Sequence, residues 1–294
     1  MAESPRQSTG LAGLDDLLGG GLVPGCLAVV VGATGIGKTQ LGVQYADAGR
    51  RQEGRRGVVL DMNARGDSQN HQAYARRIAG WLLQPADEDR LAEADDFFSP
   101  PRAPGEYLHI FRYQGQRVTR DDVDFQQWQT WQAELNARLR SGIGFLYGNL
   151  VRGLRRVVVD GIEPVQQSGQ SIQLTLFEYV YHQILRKDPA WVARDLFREH
   201  YRQQAEAVAR HLYDPAQVGC LLLYTAQEVM LEDMISRPLD QGDLLSVANT
   251  VVYMGKIREG RSIQRALYVA KHRGSACGER IVPFSIDDAG LRLD

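Results

Sequence analysis

The chain has 294 residues, 44% of them hydrophobic and 24% charged, enough apolar material for a large α/β core and too ordinary a charge content for disorder. With 34 Lys+Arg against 36 Asp+Glu the formal net charge is −2, so no global field draws the chain to nucleic acid or anionic lipid. Three cysteines without CxxC spacing suggest neither a disulfide framework nor a zinc knuckle; with no apolar leader or run of 18 apolar residues, the expectation is a cytoplasmic protein with no membrane partner.

In chain order, Leu11, Leu14, Leu17 and Leu18 mark a short helix closed by three glycines. The run "CLAVVVG", 26 to 32, reads as a strand covered on both faces, and "KTQLGVQYADAGRRQ", 38 to 52, has helical spacing. Further strands are expected at 57–63, at 106–113, in "LRRVVVDGIEP" leading into Asp160, and in "VGCLLLYTAQE". Between them, three stripes predict helices with core-facing sides: Phe125, Trp128, Leu135 and Leu139; Ile172, Leu176, Val180 and Ile184; and Phe197, Tyr201, Val208 and Leu212. Asp188 and Pro189 suit a cap and first turn for the last of these. Residues 95–106 read as a proline-rich surface loop, and Cys26 and Cys220 as small buried side chains. The tail from "NTVVYMG" onward reads as short strands with turns. The expected fold is therefore a mainly parallel sheet flanked by helices, with an antiparallel meander on its far edge.

"GATGIGKT", Gly32 to Thr39, fits G-x-x-x-x-G-K-[ST] between a strand and a helix. Glycines let successive N–H groups turn inward at a helix N-terminus and form an anion nest. Thr34, Gly35, Ile36, Gly37, Lys38, Thr39 and Gln40 are the expected nucleotide contacts, with Lys38 reaching the β- and γ-phosphates and the Thr39 hydroxyl ligating Mg²⁺. Asp160 is the candidate acid for the magnesium's water shell, although an aspartate after a valine run also serves as an ordinary strand terminator.

On these residues the chain resembles RecA-superfamily P-loop ATPases of the KaiC and RadA/Sms branch. The resemblance rests on "STGLAGLDDLLGGGLVPG" before the cradle, and on "RRVVVDGIEP", "LLLYTAQE" and "VANTVVYMGKIREGRSIQRALYVAKHRGSACGERIVPFSI" after it. It implies a RecA-like core spanning 1–294 as one domain, with insertions at about 64–155 and 165–216. It also implies ATP and Mg²⁺ as ligands and a ring-like homo-oligomer, a hexamer being the expected form. In that branch a K-x-R-G-S/T segment reaches the γ-phosphate held by the neighbouring subunit; the matching positions here are Lys271, His272, Arg273, Gly274 and Ser275. Lys and Arg at alternate positions of a strand share a face, so both can meet one phosphate. The bland alternative is a solvated basic strand.

The family pattern breaks after the second strand. Where the branch carries a water-activating glutamate, "LDMNARGD" has Asn63, and an amide cannot take a proton from water at neutral pH. Asp61 could act instead, Glu163 could substitute, or hydrolysis could be slow with the nucleotide driving assembly. Gln227, after the fifth strand, is either a γ-phosphate sensor or a polar loop residue. The reading favours a slow ATPase acting as an oligomeric switch. A DNA-binding recombination-type role ranks lower because 228–246 carries five acidic residues against one arginine. A nucleotide-bound scaffold recruiting a protein partner through the inserted helices is the remaining reading.

Overall fold

The computed structural model describes residues 5–63, 70–86, 97–98, 104–110, 139–163, 172–236, 244–274 and 276–294. The apolar runs become strands β1 (Leu27–Gly32), β2 (Val58–Asp61), β3 (Tyr107–His109), β4 (Arg156–Ile162) and β5 (Gly219–Thr225). Every residue of β1, β2 and β4 is buried, as expected of strands covered on both faces. Side chains alternate between two cores. Val29 and Val31 join Val157, Val159 and Leu222 on one face, while Ala28 and Val30 join Val158, Leu221 and Leu223 on the other.

The second face is covered by α1 (Ala12–Leu17), α2 (Lys38–Gln52) and α3 (His71–Ala79). The first is covered by α4, whose described part is 139–150, and by α5 (Ile172–Val180), α6 (Pro189–Phe197) and α7 (Tyr201–Arg210). Two short helices, α8 (Leu231–Ser236) and α9 (Leu244–Val247), precede the tail strands β6 (Thr250–Glu259), β7 (Ser262–His272), β8 (Val282–Asp287) and β9 (Gly290–Leu293).

All nine strands form one sheet in the order β3-β2-β4-β5-β1-β6-β7-β8-β9. The pairs from β3 to β6 are parallel, and those from β6 to β9 antiparallel. This is the parallel core and antiparallel tail that the sequence predicts. β9 does more than close the edge. Gln44 of α2 exchanges two hydrogen bonds with the Leu291 backbone, at 2.9 and 3.1 Å, so the tail curls back onto the helix that follows β1.

Several local expectations need correction. The stripe from Phe197 to Leu212 is not one helix: Arg198 takes a positive φ of 48° and a 3₁₀ turn, Arg198–His200, separates α6 from α7. The Ile172 stripe is α-helical only to Val180 and continues as a π turn, Tyr181–Leu185. In the proline-rich stretch, Phe97 is buried edge-on against Tyr147 and Phe197, so that residue belongs to the core; residues 95–96 and 99–103 lie outside the described residues. Cys220 is buried, but Cys26 is only half-buried, just ahead of β1. The expected helix at Phe125, Trp128 and Leu135 lies outside the described residues. Among the described residues, no helix is long and apolar enough to cross a membrane.

Candidate nucleotide site

The parallel strands change their direction of connection beside β1: β1 lies between β5 and β6, and the chain leaves its carboxyl end to build the β2 side of the sheet first. Crevices at such points are where open α/β sheets bind ligands. Gly32 ends β1, and the turn through Thr34 and Gly35, both exposed, leads into α2 at Lys38. Gly37 has a φ of 120°, and a Cβ there would lie 2.7 Å from Ile286 Cδ1 of β8, so only glycine fits. Ile36 is buried beneath the loop.

Lys38 is buried and folds over its own loop, its Nζ donating to Gly32 O at 2.8 Å and Ala33 O at 3.0 Å. Burial lowers its ammonium from the usual range to about 8, with the charge of Asp160 opposing the fall. The Thr39 hydroxyl donates to Asp160 Oδ2 at 2.7 Å, so two residues 121 positions apart in sequence meet directly. Burial alone would raise the Asp160 carboxyl. A hydrogen bond from His71, that ring's charge, the Thr39 hydroxyl and Lys38 together outweigh burial and hold it below the ordinary carboxylate range. Gln40 is also buried and accepts from Arg77 Nη2 at 2.8 Å.

Asp160 does not end its strand. β4 runs on to Ile162, and the register with β5 shifts between Val159 and Ile162. Bulges of this kind re-aim side chains. Gly161 makes this one possible: its φ is 94°, and a Cβ would come within 2.4 Å of the Asn63 backbone nitrogen. β2 and β4 are thereby drawn together at their carboxyl ends, with Met62 N donating to Asp160 O at 2.7 Å.

Asp61 is enclosed. Its Oδ1 accepts from the Asn63 N–H at 2.9 Å, and its Oδ2 accepts from the Tyr107 hydroxyl at 2.7 Å. Asn63 is buried, and its carbonyl is 2.8 Å from His109 Nε2. Glu163 is half-buried just beyond β4, its N–H donating to Gln173 Oε1 at 3.2 Å, while Gln173 Nε2 donates to Met62 O and Gly161 O. Gln227 is exposed next to Ala226, whose N–H donates to Gly32 O at 3.0 Å, so it stands beside the head of the phosphate loop.

Sequence reasoning missed three members of this cluster. His71, Tyr107 and Gln173 come from α3, β3 and α5, and none sits in a contiguous motif. Tyr107 and Gln173 lie near the starts of predicted elements, whereas His71 lies in a stretch for which no element is predicted.

The basic tail segment lies elsewhere. Val251 pairs with Lys271 and Thr250 with His272, while Ala28 pairs with Thr250 and Gly32 with Met254. Lys271 and Arg273 are therefore level with the start of β1, about 13 Å along the strands from the phosphate loop of the same chain. Lys271 Nζ donates to Leu245 O and Ser246 O at 3.0 and 2.8 Å, and Arg273 Nη2 to Ser246 O at 3.4 Å. Burial and the neighbouring Arg273 lower the Lys271 ammonium. His272 is separated from the pair: its Nδ1 is 2.8 Å from Thr250 Oγ1 and its Nε2 3.1 Å from Arg6 Nη1. Partial burial and the Arg6 charge lower its pKa, against a backbone hydrogen bond with Leu18. Ser275 lies outside the described residues.

The donors gathered near Asp160 are a hydroxyl and an ionised carboxylate, hard oxygens that suit Mg²⁺. That ion keeps several waters and takes only one or two protein groups beside phosphates. Among the described residues no cluster of three or more His, Cys, Asp or Glu side chains forms an all-protein metal cage.

A glycine-rich phosphate loop at the head of a helix, with its threonine bonded to an aspartate on a neighbouring parallel strand, defines a RecA-like P-loop ATPase core. The family described as "ATPase: KaiC" matches residues 7–183, and the chain belongs to that family. The match spans 64–155, which the sequence reading set apart as insertion, and stops short of β5 and the tail strands. The UPF0273 protein MK0039 of Methanopyrus kandleri is 25% identical over 292 residues, covering 98% of this chain and 92% of its own length. The crystal structure of the KaiC-like protein PH0186 from Pyrococcus horikoshii superposes with a TM-score of 0.53 at 14% identity, covering 98% of each chain, and supports the fold alone.

Proposed function

We propose that the chain binds ATP with Mg²⁺ at the phosphate loop, hydrolyses it slowly, and acts as a nucleotide-dependent homo-oligomeric switch whose sites are completed by a neighbour. The observation that carries the reading is the direct Thr39–Asp160 bond beside a buried Lys38, because each group has one use in common: gripping a metal-bound triphosphate. The loop amides and Lys38 would hold the phosphates, Lys38 exchanging the carbonyls of Gly32 and Ala33 for phosphate oxygens. Thr39 and Asp160 would hold the magnesium, which when bound neutralises charge on the β- and γ-oxygens. Gln227, next to Ala226, would read the terminal phosphate.

Slow turnover follows from which groups are engaged. Asp61 has both oxygens occupied, and Asn63 offers no base. Glu163, half-buried just beyond β4, is the other carboxylate candidate. Lys271 and Arg273 lie at the wrong end of the sheet to serve their own phosphate loop, which favours action in trans. A ring, with a hexamer as the form expected, meets that need. We read residues 1–294 as one ATPase unit, with the helical segments after β2 and β4 as elaborations that offer a partner surface.

The test pairs two measurements. Fluorescent ATP should bind with a strong Mg²⁺ requirement, and light scattering should report a larger particle with Mg-ATP than without. Turnover of Asn63→Glu beside wild type then reads the missing carboxylate, with a gain of roughly 10²-fold expected if that base limits the native rate. A strict monomer under both conditions would remove the trans arrangement. A scaffold that binds nucleotide without chemistry is the second reading, favoured by the enclosure of Asp61; it predicts tight binding and no turnover in either protein.

A further inference from the structure

His71 has no part in any motif and sits at the centre of the site. It opens α3, a helix capped by Asn70, whose side chain accepts from Ala73 N at 2.9 Å. The imidazole side chain is 2% exposed. Its Nε2 lies 3.0 Å from Asp160 Oδ2 and its Nδ1 3.5 Å from Asp61 Oδ2. Asp61 and Asp160 are register partners on adjacent parallel strands, both 1% exposed. An ionised carboxylate only accepts, so Nε2 is the donor to Asp160. The Tyr107 ring packs 5.4 Å from the imidazole while its hydroxyl donates to Asp61.

Asp160 Oδ2 therefore receives two hydrogen bonds, from Thr39 of α2 and from His71 of α3. The Thr39 bond is the one that a metal would displace, since that hydroxyl is itself a candidate ligand. The His71 bond is the one that would persist. We infer that His71 is a positioning residue for the magnesium site: donating from Nε2, it holds the Asp160 carboxylate oriented toward Thr39. The inference rests on the proposed Mg-ATP binding. Outer groups of this kind orient metal-binding side chains, and their loss costs roughly 10–100-fold in metal affinity.

The experiment measures fluorescent ATP binding across a Mg²⁺ series for wild type, His71→Ala, His71→Leu and His71→Gln. The readout is half-saturating Mg²⁺, with each variant normalised to its own binding in EDTA. Thermal unfolding is recorded alongside. In His71→Ala and His71→Leu the Mg²⁺ requirement should rise roughly 10–100-fold. His71→Gln, which keeps a donor, should recover most of the loss. The leucine variant fills the space without donating and reads the same effect if the alanine variant fails to fold. A lowered melting temperature with an unchanged Mg²⁺ requirement would overturn the inference, leaving His71 as a core residue only. A glutamine variant as impaired as the leucine one would overturn the hydrogen-bond account. If wild type shows no Mg²⁺-dependent binding at all, the ATP reading fails first, and that outcome is distinct from the others.

Discussion

Where β1 runs into the phosphate loop, polar side chains form a buried cluster: Thr39 and His71 bond Asp160, and Tyr107 bonds Asp61 beside them. Where β1 begins, Lys271 and Arg273 rest on the carbonyls of Leu245 and Ser246 in the short helix α9, without a carboxylate in those bonds. The first arrangement is stiff, because every member is fixed by another and water is excluded. The second is a resting place that two side chains can leave at the cost of a few hydrogen bonds to neutral acceptors. A grip on a nucleotide needs the former. A group that reaches across to another subunit needs the latter.

The contrast can be broken most severely at the releasable end. Replacing both Lys271 and Arg273 by alanine should lower turnover by roughly a thousandfold if they act as fingers. Nucleotide affinity of the dissociated subunit should change little; equal losses in turnover and in subunit affinity would place them in cis and dissolve the distinction. At the stiff end, Lys38→Ala should weaken ATP binding by roughly 100-fold, measured by titration of a fluorescent analogue, since it removes a charged donor from the phosphates. Gly161→Ala tests whether that end is stiff in fact. The added methyl meets the Asn63 backbone at a φ of 94°, so denaturant unfolding should report a loss of about 2–3 kcal/mol. A tolerated alanine would mean that β2 and β4 can slide apart.

The smallest effect concerns His272 and Arg6, beside Lys271 and Arg273. The His272 pKa is lowered in the folded chain, so between that lowered value and the ordinary 6.5 the unfolded chain holds more of the proton. Stability should therefore decline as pH falls below about 6.5. Arg6→Ala removes one cause of the lowering and should flatten that decline in pH-dependent melting curves. An unchanged slope would show that burial alone sets it.

The two ends also differed in how far the sequence disclosed them. The loop from Gly32 to Thr39 was legible because eight adjacent residues carry the whole nest, and Asp160 because it follows a valine run. The sheet was legible from its two-sided burial. His71 was not, because a lone histidine on a helix carries no local pattern; its meaning depends on β2 and β4 lying side by side, a pairing that spans 99 positions between Asp61 and Asp160. The break at Arg198 was invisible for a related reason. Apolar spacing continues through it, and the positive φ at Arg198 leaves no mark in that spacing. The distance of Lys271 from its own loop likewise emerged only from strand register.

Ile286 occupies the space beside Gly37, and Gln44 grasps the backbone of Leu291. A nascent polypeptide that has emerged as far as β5 already contains every cradle residue but lacks the strands that brace them. Bracing of the phosphate loop should thus arrive late in synthesis, with residues 282–293.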